Sequence, residues 1–338
     1  VQLVEAHGTG TVVGDRTELA TLSRFFGAAG ALPGACTLGS VKSQIGHTKC
    51  AAGLAGLVKV ALAMFHRVLP PTCNMHAPNG AYDEATSPFA FRDGPAPWVG
   101  AARRAGISAF GFGGTNFHVV LEAAPGEASE RGLEAWPAEL FLLRGATKAE
   151  ALARAEVLAA AVGAAPRATL RDLAAAAAQG TGPVQLALVA TDKPDLTEKL
   201  RRAVAGEGAA PVRGTTVAGP AAFLFPGQGS QRPGMFAELF AAFPRLGALL
   251  PTDTALDRVV FPAASFTPEG RARRQKLLTD TRNAQPALGV MGLAAAKLLR
   301  EFGVAPAMAA GHSYGELVAL TLAGALPEQE LVRLSQAR

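Results

Sequence analysis

The 338-residue sequence has only three cysteines, Cys36, Cys50 and Cys73, with no paired spacing among them. A disulfide framework and a zinc site are thereby excluded as the basis of the fold, no bound metal is expected, and the setting that suits such a chain is the reducing cytoplasm. No secretory leader opens the sequence, and no unbroken apolar run is long enough to cross a bilayer. The longest such run, residues 51–65, is interrupted by Lys59, so no membrane span is expected. Acidic residues are outnumbered, 27 Asp and Glu against 32 Lys and Arg, for a formal net charge of +5. The densest basic cluster, Arg271, Arg273, Arg274 and Lys276, has no interleaved aromatics and reads as a solvated surface, which argues against nucleic acid as a partner.

What the chain does have is apolar mass, 49% of its residues, over a length that accommodates two or three domains. Near its end Gly311-His312-Ser313-Tyr314-Gly315-Glu316 sets a serine in a G-x-S-x-G elbow. Residues 304–310 read as a short buried strand before it and residues 317–322 as a helix after it, with Glu316 in the first turn, where the helix dipole favours a carboxylate. A lone match of this kind is often an ordinary turn, but here a second apolar strand upstream, Phe223-Leu224-Phe225, also ends in a Gly-rich polar loop, Pro226-Gly227-Gln228-Gly229-Ser230-Gln231. A lifted serine beside a loop that can aim donors at an oxyanion is the layout of acyl transfer. None of the six histidines, His7, His47, His66, His76, His118 and His312, is placed by sequence to act as its base.

The first third of the chain carries an independent pattern. Val4-Glu5-Ala6-His7-Gly8-Thr9-Gly10-Thr11 runs an apolar strand into a histidine and a Gly/Thr loop. Gly39-Ser40-Val41-Lys42-Ser43-Gln44-Ile45-Gly46-His47 repeats that design, followed by an apolar helix from Lys49 to about Phe65. Two histidines at strand ends can converge on one pocket. A single histidine in that position is more often structural, and Cys50, three residues past His47, reads as a small buried side chain.

The motifs FPGQGSQ at 225–231, TRNAQPAL at 281–288 and GHSYGE at 311–316, in that order, resemble the malonyl-CoA:acyl-carrier-protein acyltransferases. The resemblance implies that Ser313 is the acylated nucleophile, that Gln228 and the backbone N–H of Tyr314 form the oxyanion hole, and that Gln285 lines the site. It also assigns Arg338 to the free carboxylate of the malonyl group, a task for which a planar guanidinium fork is suited. The family's base histidine would lie beyond the point where this sequence stops, leaving the dyad incomplete within it. The segments around His7 and His47, with Ile107-Ser108-Ala109-Phe110-Gly111-Phe112-Gly113-Gly114-Thr115-Asn116, closely resemble the C-terminal half of a β-ketoacyl synthase of the thiolase-like fold. That resemblance implies that His7 and His47 donate hydrogen bonds to the thioester oxygen as malonyl loses carbon dioxide, with Lys42 in support and Phe112 against the acyl chain. It places the nucleophilic cysteine upstream of His7, since none of the three cysteines present sits in a small-residue elbow.

The composition changes between about residues 125 and 220, where a polar connector gives way to an alanine-rich α+β stretch. Thr147-Lys148-Ala149-Glu150 is a capping-box pattern there, and a helix starting at Pro194 is expected to stop at Gly206. The expected division is therefore 1–125, the C-terminal part of a β-ketoacyl synthase; 126–220, a linker domain; and 221–338, the N-terminal part of an acyltransferase. The fold class expected is multidomain α/β: part of a thiolase-like fold, a small α+β domain and part of an α/β-hydrolase-like domain. Together these are similar to a segment of a type I polyketide synthase, or of a related fatty-acid synthase of the polyunsaturated type. The resemblance implies malonyl-CoA as substrate, no covalently bound cofactor, phosphopantetheine carried by a partner acyl carrier protein domain, a mild positive field suited to coenzyme A or that carrier, and a homodimer in the full-length synthase. Two other readings remain: a catalytically incomplete scaffold or linker fragment, and a serine hydrolase in which water resolves the acyl-enzyme.

Overall fold

The computed structural model describes residues 1–100, 102–124, 136–207, 212–213, 219–252 and 254–336. Its contacts fall into two units, Val1–Leu133 together with Pro220–Arg338, and Glu134–Gly219.

The first unit is organised by a five-stranded mixed sheet in the order Phe89–Ala90, Cys36–Gly39, Leu3–Glu5, Arg104–Phe110, Asn116–Glu122. The first four strands are parallel and the last pairs antiparallel through the Phe110–Asn116 turn. Alternation along the central strand decides what covers each face. Leu3 points into a cluster with Val60, Met64, Trp98 and Ile107, whereas Val4 points into one with Leu19, Leu38 and Phe89. The helix Ala52–His66 thus covers one face and the helix Val12–Ala28 the other, which explains why this strand is apolar at consecutive positions.

The expected helix after His47 divides into a 3-10 turn, Lys49–Ala51, and the α-helix Ala52–His66, which ends on the left-handed Arg67. Its buried positions, Ala52, Gly56, Val60, Ala63 and Met64, recur at helical spacing. Residues 49–66 are long and apolar enough, by length and composition alone, to cross a membrane, so the break at Lys59 does not shorten the element as expected. This helix is partly buried against the sheet, and Lys59 is turned inward and paired with Glu5 at 2.9 Å.

In the same unit the strands Ala222–Phe225 and Met308–Gly311 pair in parallel and pack on the helices Thr281–Glu301, Gly315–Leu322 and Glu328–Gln336. The outer segments of the chain, expected as separate domains, are joined here by specific contacts. Glu84 accepts hydrogen bonds from Ser265 at 2.9 Å and from Arg274 at 2.8 Å, Arg92 donates to the carbonyl of Phe261 at 3.1 Å, and the Ala264 N–H donates to the carbonyl of Phe91 at 2.7 Å. The rings of Tyr82, Phe91 and Phe266 pack edge to face beside them. The basic cluster on the helix Pro268–Thr279 is therefore not wholly a solvated face, because Arg274 is half-buried in this contact.

The second unit is a three-stranded antiparallel sheet, Val212–Arg213, Val184–Ala190, Glu139–Gly145, carrying the helices Lys148–Ala164, Leu170–Ala177 and Lys193–Ala205. Thr147 caps its helix by accepting from the Glu150 N–H, while Glu150 reaches the N–H of Ala146, one residue before the position a capping box uses. A full capping box forms instead at Thr169 and Asp172. Lys193–Ala205 closes on the left-handed Gly206. Phe141 and Leu143 fill the core between sheet and helices and are almost wholly buried.

Phe141→Ala is expected to cost about 3–5 kcal/mol in this unit. Hydrogen exchange of the Val184–Ala190 amides checks it: those amides lose protection, while the amides of Leu3–Glu5 in the other unit keep theirs.

Candidate functional site

Two groups of chemically useful side chains form, both at the carboxyl ends of parallel strands. In the first, the register Phe225↔Gly311 brings the loop after Ala222–Phe225 beside the turn after Met308–Gly311. Ser313 sits in that turn with φ 54, a left-handed conformation that costs a non-glycine residue energy and is held by its surroundings. The surroundings leave no room for other residues at the flanking glycines: a Cβ on Gly311 would lie 2.0 Å from the backbone of Gly315, and one on Gly315 would lie 2.1 Å from the carbonyl oxygen of Phe225. Gly227 closes the approach, since its Cβ would fall 3.2 Å from that of Ser313. The serine is exposed, and the helix Gly315–Leu322 starts directly behind it.

The expected partners of Ser313 are placed as follows. Gln228 lies on the facing loop, and its side-chain amide donates to Thr281 at 3.1 Å. Tyr314 follows the serine, with its ring buried and its hydroxyl hydrogen-bonded to Ser335, which in turn donates to the Leu331 carbonyl at 2.6 Å. Gln285 lies in the first turns of Thr281–Glu301, one residue before the internal Pro286, with its Oε1 buried and without a hydrogen-bond partner. Arg338 lies outside the described residues.

The second group is built on the five-stranded sheet. His7 follows Leu3–Glu5, Lys42 follows Cys36–Gly39 after a tight turn, and the His47 ring stands 5.8 Å from that of His7, edge to face. Each imidazole is oriented by a backbone amide: Phe110 N–H donates to Nδ1 of His7 at 3.3 Å, and Lys49 N–H donates to Nδ1 of His47 at 3.0 Å. A ring nitrogen that accepts carries no proton, so by these partners both neutral rings hold their proton on Nε2. Burial lowers the pKa of His7, helped by the charges of Lys42 and His47, which favours the neutral donor form. Burial also lowers Lys42, against the carboxylates of Glu5, Glu18 and Asp15. Glu18 holds the loop by accepting from the N–H groups of His7 at 2.8 Å and Gly8 at 3.0 Å. A cavity of about 480 Å3 lies behind it, lined among others by Thr9, Asp15, Glu18, Lys42 and Cys73.

The Phe112 ring is fully exposed on the turn that follows the strand Arg104–Phe110, and Phe110, which ends that strand, lies 5.4 Å from His7. The boundary between strand and turn distinguishes the two, since Phe110 ends the strand and Phe112 lies on the turn after it. Glu5, Glu18 and Lys59 were also missed as parts of the site, although a charged residue ending an apolar strand and a lysine interrupting an apolar helix both signal a buried pair. Among the described residues no cluster of three or more His, Cys, Asp or Glu side chains could hold a metal ion.

Residues 1–76 match the family model described as β-ketoacyl synthase, C-terminal domain; residues 85–182 that of the ketoacyl-synthetase C-terminal extension; and residues 222–338 that of the acyl transferase domain. The chain is 38% identical to polyketide synthase GfsA of Streptomyces halstedii over 99% of its own length and 5% of that protein. It is 37% identical to a mycocerosic acid synthase-like polyketide synthase of Mycobacterium tuberculosis over 99% of its length and 16% of the relative. The chain thus spans only a small part, 5% and 16%, of the length of these curated relatives. Among solved structures, the acyl transferase domain of ZmaA is similar in fold, with a TM-score of 0.52 at 22% identity over 61% of this chain and 48% of that one.

The crowding at the elbow gives a direct expectation. Gly315→Ala is expected to lower the melting temperature and to abolish labelling of Ser313 by a fluorophosphonate, with Ser313→Ala as the blank; undiminished labelling in Gly315→Ala would show that the turn tolerates a side chain there.

Proposed function

The chain belongs to the type I polyketide synthases, joining a β-ketoacyl synthase C-terminal domain and its extension to an acyl transferase domain, and on that premise we propose that it loads malonyl units through Ser313 and takes part in their condensation through His7, His47 and Lys42. In the loading step the Ser313 oxygen attacks the thioester carbonyl of malonyl-CoA, the carbon–sulfur bond breaks, and coenzyme A leaves as the thiol. A pantetheine thiol on an acyl carrier protein then attacks the serine ester, which frees Ser313. The observation that carries this reading is the left-handed Ser313 facing the Gly227 loop across two paired strands, because it presents a nucleophile next to backbone donors.

In the condensation step the malonyl thioester loses carbon dioxide, and the electron pair of the broken carbon–carbon bond passes into an enolate. Two Nε2–H donors on rings 5.8 Å apart suit the oxygen of that enolate. Its carbon then attacks the carbonyl of the waiting acyl thioester, whose carbon–sulfur bond breaks and releases the thiol that held the acyl group. The further parts of the proposal are a carrier protein partner, a homodimeric synthase, a cytoplasmic setting, Arg338 as the group for the malonyl carboxylate, and residues 126–220 as a linker domain without chemistry of its own. Gln285 supports the loading site through its buried, unpartnered carbonyl oxygen.

Two measurements test this. Intact mass after incubation with malonyl-CoA should show a malonyl adduct that is absent in Ser313→Ala, and a carrier protein thiol should discharge it faster than water does; discharge to water alone would favour a hydrolase. Malonyl thioester decarboxylation should fall on the acid side at a pH below 6.5, the ordinary imidazole value, because burial lowers His7 and keeps it neutral further into acid. An acid limb above 6.5 would contradict the role given to His7.

A further inference from the structure

Glu5 ends the central strand of the sheet and is only 2% exposed, yet it carries a carboxylate. Three segments of the chain meet on it. It lies two residues before His7 on its own strand; one of its oxygens accepts from the N–H of Val41, the residue that opens the short helix Lys42–Ile45; and its other oxygen accepts from the Lys59 ammonium at 2.9 Å, on the helix that follows His47. Gly56, one turn before Lys59, provides the space, since a Cβ there would lie 2.9 Å from Cγ of Glu5 and 3.5 Å from Oε1.

A pair this deeply buried contributes little net stability, because the desolvation of both ions offsets most of their attraction. An apolar pair of similar volume would serve the core as well. What an apolar pair cannot do is hold the Val41 amide and orient a lysine at once.

We propose that the Glu5–Lys59 pair is a positioning device for the ketosynthase site, tying the segments that bear His7, Lys42 and His47 to a single carboxylate so that the two imidazoles and the Lys42 ammonium converge. The inference rests on the reading of that site given above. Neither residue touches substrate; both act through their neighbours. The charged groups facing Lys42 are Glu5 on the central strand, Asp15 and Glu18 on the helix Val12–Ala28, Lys59 on the helix Ala52–His66, and His7 beside it. Of these, Glu5 is the largest attractive influence on Lys42 and Lys59 a smaller repulsive one, so removing both charges leaves Lys42 easier to deprotonate.

The test compares Glu5→Gln with the double variant Glu5→Gln/Lys59→Met, both in the full-length polypeptide that carries this segment. Glu5→Gln leaves a buried lysine without its partner; the double variant removes that cost and keeps the fold testable. Decarboxylation of a malonyl thioester is measured across pH, Lys42 is titrated by competitive acetylation read by peptide mass spectrometry, and malonylation of Ser313 reports that the chain is folded. The expected result is decarboxylation lowered by roughly 10- to 100-fold in both variants, Lys42 titrating at lower pH in both, and Ser313 loading unchanged. A double variant with the parent's rate and the parent's Lys42 titration overturns the inference and leaves the pair as packing. A parent protein that loads Ser313 but does not decarboxylate overturns the ketosynthase reading itself, and this inference with it.

Discussion

His7 and the Ser313 turn both leave the carboxyl ends of parallel strands, and that shared kind of edge sets where each group of side chains forms. His7 and Lys42 follow two adjacent strands of the five-stranded sheet, Phe110 ends a third beside them, and the Gly227 loop and Ser313 follow the two paired strands of the acyl transferase segment. Parallel pairing forces this arrangement, because strands running the same way must all turn at the same edge, and what turns there is brought together whatever its distance in sequence. Residues more than 80 apart, Phe225 and Gly311, become neighbours by one register. In the five-stranded sheet, helices cover both faces of the central strand Leu3–Glu5, which is buried along its length.

The two sites meet their chemistry in different ways. Around Ser313 the means is steric: backbone approaches too close for a Cβ oblige glycine at 311 and 315 and hold the serine in a conformation it would not otherwise adopt. Around His7 the means is electrostatic. Backbone amides fix the imidazole tautomers, the Glu18 carboxylate anchors the loop, and burial, followed by the charge of Lys42, lowers the basicity of His7. Preset donors of this kind need not be reorganised when charge develops on a substrate oxygen, which is where most of their benefit arises.

Much of this was legible in the sequence because the motifs are local. The GHSYGE elbow, the FPGQGSQ loop and the HGTGT and KSQIGH segments each declare a strand end followed by a turn, and the structure puts strands and turns there. The apolar spacing of residues 52–66 declared the helix that covers the sheet. What sequence could not declare were pairings across long separations. Glu5 with Lys59, Glu18 with the His7 loop, and Glu84 with Arg274 join residues whose complementarity is visible only once the chain has folded, and Arg274 read as solvated because its partner lies far upstream. Phe110 and Phe112 differ by two positions, and only the end of the strand between them tells which one meets the histidine.

Tyr314 stands next to the nucleophile, yet its ring faces away from it into the core. Its hydroxyl meets Ser335, and a Cβ on Gly289 would lie 2.6 Å from that hydroxyl, so three separate helices are fitted around one side chain. For anyone exchanging segments between synthases to alter the unit they load, the practical unit of transplantation is therefore larger than the serine pentapeptide. A graft that replaces residue 314 without residues 289 and 335 inherits a misfit inside the fold, and lost turnover in such a chimera would report a packing fault before it reported anything about substrate choice.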